Sequence, residues 1–144
     1  MDGLLQLQTI DSATALKLAT AGREYAVKHG FSVSIAVVDI VGNLVAYSQS
    51  DGAPVQCVAI ACDKAKTAAN FGITSRQLGE GLTNEAPRVS AGLVTYDGLA
   101  LFGGGVPVMV DGKTVGAVGV SGASEAEDEE CALGAINAVF GDRD

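Results

Sequence analysis

The sequence predicts an α+β domain in which an antiparallel sheet of four or five strands is covered by helices. Three observations carry that reading. Two hairpin signals, one at Asp39-Ile40-Val41-Gly42-Asn43 and one at Asp111-Gly112, each sit between β-branched runs. Three segments rich in helix formers carry start and stop residues. The resulting order, helix, hairpin, helix, loop, hairpin, helix, is that of an antiparallel sheet with helices laid over it. The 144 residues, 48% hydrophobic and 18% charged, fit one compact domain spanning 1–144.

The first helix follows Thr9 and Ile10, with Asp11 in its first turn, Ala13 to His29 as its body and Gly30 as its stop. Gly22 in its middle is unfavourable by about 1 kcal/mol against Ala and suggests close packing there. Phe31 to Val38 alternates, setting Phe31, Val33, Ile35 and Val37 on one face and Ser32, Ser34, Ala36 and Val38 on the other. After the turn at Asp39, Leu44 to Ser48 returns as the second strand. Pro54 near a first helical position opens a small-residue helix, Val55 to Asn70, that Gly72 can end. Thr74 and Gln77 form a capping box for a short helix, and Thr83 to Asp97 reads as a long loop with local structure. Gly103, Gly104 and Gly105 lead into Val106 to Val110, whose Pro107 lacks a ladder donor and suits an edge or bulged position; Val115 to Val120 returns. Ser124 and Glu127 form a second capping box for a helix through Cys131 and Ala135 to Gly141.

The formal charge of −8 argues against nucleic acid as a partner. Five of the acids fall in 125–130, where they suit the positive end of a helix and read as solvated. No apolar run is long enough for a membrane span, and the first residues lack a basic-then-apolar signal, so the expectation is a cytoplasmic protein without a membrane partner. Three cysteines without a Cys-x-x-Cys pair, and a single histidine, read as free thiols with no zinc or other metal site.

At Val37-Val38-Asp39, Asp63 to Ala69, Phe102 to Val108 and Gly116 to Gly122, the chain resembles the GlcG/HbpS family, the haem-degrading domain family. The resemblance runs over nearly the whole chain. It implies a profilin-like fold with a central antiparallel sheet of about five strands, association into dimers or larger rings and, for some members, haem or corrinoid-related binding. Where the family's second strand often ends in Arg-Met-Asp, this chain has Gln49-Ser50-Asp51, so any anion contact made by that Arg is absent.

His29, the only histidine, is the candidate for axial haem ligation or acid/base work, or it serves the end of its own helix. Tyr96 offers an oxygen ligand or a phenolic acid. Asp39 either fixes its turn or lines a site. Lys64, Lys66, Arg76 and Arg88 could hold a substrate carboxylate or a haem propionate, and Glu85 could act as a base or pair with Arg88. Phe102 and Gly103 to Gly105 form either a sheet corner or a ligand-facing loop. Three functions follow. One is an intracellular small-molecule-binding protein with haem as the expected ligand class. Another is a cofactor-independent isomerase, lyase or hydrolase for a small anionic catabolic intermediate, with Asp39, Glu85, Arg88 and Tyr96 as its catalytic candidates. The third is an assembly module without chemistry. A mean hydropathy of +0.31 adds the expectation of a homo-oligomer, a dimer or larger closed ring.

Overall fold

The computed structural model describes residues 2–142. Among the described residues there are five helices and one four-stranded antiparallel sheet. The elements are α1 (Ser12–His29), β1 (Ser34–Asp39), β2 (Leu44–Gln49), α2 (Gln56–Phe71), α3 (Ser75–Gly81), α4 (Pro87–Leu93), β3 (Gly105–Val110), β4 (Lys113–Ser121) and α5 (Glu125–Phe140). Strand order is β2-β1-β4-β3, so each hairpin contributes one central and one edge strand. Pro107 lies on edge strand β3, where a missing donor costs least. The count of about five strands is corrected to four. The segment 83–97 supplies no strand, because it forms a 3-10 turn at Leu82–Asn84 and then α4, which Pro87 starts from its first turn.

The terminal signals are met by named bonds. Asp11 accepts from the Thr14 amide at the start of α1, and Gly30 ends the helix in the left-handed region at φ 76°. Both capping boxes, Thr74 with Gln77 and Ser124 with Glu127, are complete. Asp111 and Gly112 both have positive φ, 50° and 76°, as the tight hairpin turn requires.

The two faces of the sheet are packed differently. On one, α1 and α5 cover the branched side chains Val33, Ile35, Val37, Val106, Val108, Val118 and Val120, adding Leu18 and Ile136 among small residues of their own. On the other, α2 lies on Ala36, Val38 and Ala117 through its own Ala61, Ala65 and Ala68. Gly105 and Gly119 are cross-strand partners, and a Cβ on either would collide with the α2 backbone, at Lys64 and at Ala61 and Ala65 respectively. The helix backbone therefore rests directly on the sheet. That close approach fixes where each α2 side chain goes, and α2 is the element around which the candidate sites are arranged.

Candidate functional site

Residues 61, 64, 65 and 68 of α2 form its sheet-facing stripe, so Lys64 points inward among alanines. Its side chain is 1% exposed. The ammonium donates to the Val120 carbonyl and to Asp128 Oδ2, both at 2.9 Å, and lies 4.9 Å from the centre of the Phe102 ring. Asp128 reaches it from α5, and its other oxygen accepts from the Ala123 amide at 2.9 Å. Burial pushes the Asp128 carboxyl above the usual range, opposed by the hydrogen bonds from Lys64 and Ala123. Lys64 thus ties the two helical layers together past the end of the sheet.

The glycine run makes room for that tie. A Cβ on Gly104, whose φ is 135°, would come within 2.7 Å of Lys64 Nζ, and one on Gly103 would press on Glu125. All three glycines are buried against protein atoms, while the neighbouring Phe102 is half exposed. The expected solvated start of α5 is corrected at Asp128, which is buried; Glu125 and Glu130 are exposed and Glu127 and Glu129 half-buried, yet each has a partner. Asp128 is buried with Lys64, Glu129 accepts from Arg76 at 3.1 Å, Glu130 accepts from the Tyr25 hydroxyl at 2.6 Å, Glu127 completes the capping box and Glu125 accepts from the Gly103 amide. Arg76 is bound by Glu129 and by Glu80, 3.0 Å away.

The other sequence candidates lie apart from this cluster and from one another. Glu85, Arg88 and Tyr96 are exposed on the segment between α3 and β3, and among the described residues no ion pair joins Glu85 to Arg88. Asp39 accepts from the Val41 and Asn43 amides at 3.1 and 2.9 Å and from Asn43 Nδ2 at 3.3 Å, so its carboxylate fastens the β1–β2 turn. His29 ends α1 at the other end of β1. Its Nδ1 lies 2.9 Å from the Tyr25 carbonyl, to which it donates, and its ring stacks on Tyr25 at 4.0 Å. Among the described residues no cluster of His, Cys, Asp and Glu could hold a metal ion, and no helix is long and apolar enough to cross a membrane.

One open cavity joins the candidate Lys66 to residues that the sequence does not single out as site candidates. It is a groove of about 500 Å³ between the turn Val41, Gly42, Asn43 and Leu44 and the flank of α2 that carries Cys62, Lys66 and Asn70. These three follow at i, i+4 and i+8, which a helical-wheel reading from the Lys64 stripe places on a separate face. Burial pushes the Cys62 thiol up, so it stays a neutral donor.

Comparison with known proteins places this architecture. Residues 10–137 match the model of a family described as haem degrading protein HbpS-like. The chain belongs to that family. Among its relatives, a 15.0 kDa protein from the dhaT-dhaS intergenic region of Citrobacter freundii is 33% identical over 132 residues, 92% of this chain and 93% of that one. Protein GlcG of Escherichia coli K12 is 40% identical over 107 residues, 74% of this chain and 77% of that one. The crystal structure of HbpS superposes with a TM-score of 0.86 at 34% identity, covering 98% of this chain and 96% of that one. The HbpS-like family therefore accounts for the α+β fold seen here.

Proposed function

We propose that this protein binds a small molecule of the haem class, with His29 as the group that meets the iron and a second copy of the chain closing the site. Membership of the haem degrading, HbpS-like family over residues 10–137 is the observation that carries the reading. The donor chemistry fits. Because Nδ1 donates to the Tyr25 carbonyl, Nε2 keeps its lone pair, and that is the tautomer an iron ligand needs. Stacking on Tyr25 and contact with Phe31, 5.9 Å away between ring centres, fix the imidazole plane. Bound haem would supply iron chemistry, and the chain would bind and orient it.

His29 is exposed in the single chain. The cavity beside Tyr25 measures about 320 Å³ and carries Glu129 and Glu130, which repel propionates. Closure by a second copy supplies walls and covers exposed apolar surface near the end of α1, such as Val27. Haemin titration tests the reading. A saturable Soret shift near one equivalent per chain, weakened about tenfold in His29→Ala, is expected. Non-saturating, featureless uptake removes haem, and a light-scattering mass near the chain's 14.5 kDa removes the shared site.

A further inference from the structure

We infer that the groove between the β1–β2 turn and α2 is a binding site for a small organic carboxylate, held by Lys66 and Asn70 with its apolar body against Val41 and Leu44. This goes beyond the haem reading and does not depend on it. The groove lies at the far end of β1 from His29, and a six-residue strand spans about 20 Å. One ligand does not reach both.

Electrostatics selects an anion. In a chain of net charge −8, Lys66 is the groove's only charged lining residue, and among the described residues it takes part in no ion pair. Four other surface cavities all include acids: Asp11 and Asp111 in one, Glu24 in another, Glu129 and Glu130 in a third, Asp142 in a fourth. The two carboxylates closest in sequence to Lys66 and the turn are directed elsewhere. Asp39 is consumed by the turn's own donors, and Asp63 faces Gly98. Among the described residues the Asn70 side-chain amide makes no hydrogen bond, and it stands one helical turn from Lys66, so a charged donor and a neutral one converge on the same opening.

The rest of the groove is built to leave space. Gly42 sits at φ 94°, and a Cβ there would point at the Lys66 stem, 3.5 Å away, and at Asn70 Oδ1, 3.6 Å away. Glycine at that position keeps the opening clear, and the three hydrogen bonds to Asp39 hold the turn in place before any ligand arrives. Val41 and Leu44, each at least half exposed, supply apolar wall, and the Cys62 thiol adds a neutral donor. A volume of about 500 Å³ suits a ligand with a few carbons beyond its carboxylate.

The test is a titration of ¹⁵N-labelled protein with benzoate, followed amide by amide, with benzamide as the uncharged control. Saturable shifts centred on Gly42, Asn43, Lys66 and Asn70 are expected with benzoate and not with benzamide. Lys66→Glu should weaken binding at least tenfold with its melting temperature unchanged, and Lys17→Glu, on a different cavity, should leave it as in the parent. Absence of saturable shifts, shifts centred elsewhere, equal response to benzamide or full binding by Lys66→Glu each overturns the inference. A protein that binds benzoate here but not haemin loses only the haem reading.

Discussion

The start of α5 and the segment from Thr83 to Asp97 are both polar stretches that the sequence assigns to the surface, and the structure uses them in opposite ways. All five acids of the α5 start have partners drawn from α1, α2, α3, the glycine run or the helix's own cap. On the other segment, the hydroxyls of Thr83, Ser90 and Thr95 bond only to carbonyls three residues back, and Glu85, Arg88 and Tyr96 are exposed. The difference lies in what crosses nearby. The α5 start faces the open end of the sheet, where α2, α3 and the glycine run converge, so Asp128 is desolvated there and must be matched, while Glu125 and Glu130 reach their partners from the surface. The 83–97 segment lies outside both packed layers and its charges keep their water.

Substitutions at the buried end should have the largest effect. Asp128→Ala leaves the Lys64 ammonium desolvated beside the Val120 carbonyl, and loss of one partner of a buried pair typically destabilises by about 3–5 kcal/mol. Urea unfolding measures it. The double variant Lys64→Met, Asp128→Leu removes both charges and should recover most of that loss. If Asp128→Ala unfolds within about 0.5 kcal/mol of the parent, the pair is not a structural tie.

Second in size is the glycine bed under α2. Gly119→Val would push against the α2 backbone at Ala61 and Ala65, and overpacking of this kind destabilises by about 1–3 kcal/mol or more. Thermal unfolding should show the fall. The same substitution at Gly92, on α4 in the outer segment where a Cβ would meet nothing, should change stability far less.

These sites show what the sequence reveals and what it hides. Thr74, Gln77, Ser124, Glu127 and Asp111-Gly112 act on atoms within a few residues, so they were legible as caps and turns, while Asp11, expected in the first turn, is the N-cap one residue outside it. Asp128 was not, because its partner is 64 residues away and its five-acid neighbourhood has the composition of a solvated helix start. Lys64 and Lys66 look alike in sequence. A shift of two positions rotates a side chain about 200° round a helix, and the alanine stripe 61, 65 and 68 shows which of the two is inside once the sheet is known to be there. The groove needs the turn at Gly42 brought against Asn70, a tertiary contact that no local pattern encodes.

A smaller, spectroscopic effect reports on the edge of the α5 cluster. Donation to the Glu130 carboxylate, with burial adding to it, raises the Tyr25 phenol to about 12. A raised folded value means the bond's contribution is fully present below the unfolded value near 10 and fades as pH rises through about 12. Ultraviolet titration of phenolate should therefore find Tyr25 ionising late, and Glu130→Gln should bring it back toward the ordinary range. A Tyr25→Phe variant that leaves the late phase in place would assign it to another group.

The smallest effect belongs to the outer segment, and its smallness is informative. Glu85 and Arg88 are exposed, share no ion pair and touch neither packed layer, so Glu85→Ala and Arg88→Ala should each shift unfolding by no more than about 0.5 kcal/mol. Their charges nevertheless stand beside an exposed Tyr96 and Val94 on a stretch with few tertiary bonds, the profile of a segment that opens locally before the domain does. Brief proteolysis of the native protein should cut first within 83–97 and leave the Lys64 and Asp128 elements intact. If Glu85→Ala or Arg88→Ala were as destabilising as Asp128→Ala, or if the first cut fell in α2 or α5, the contrast between a matched cluster built on a buried pair and a solvated outer segment would fail at its weaker end.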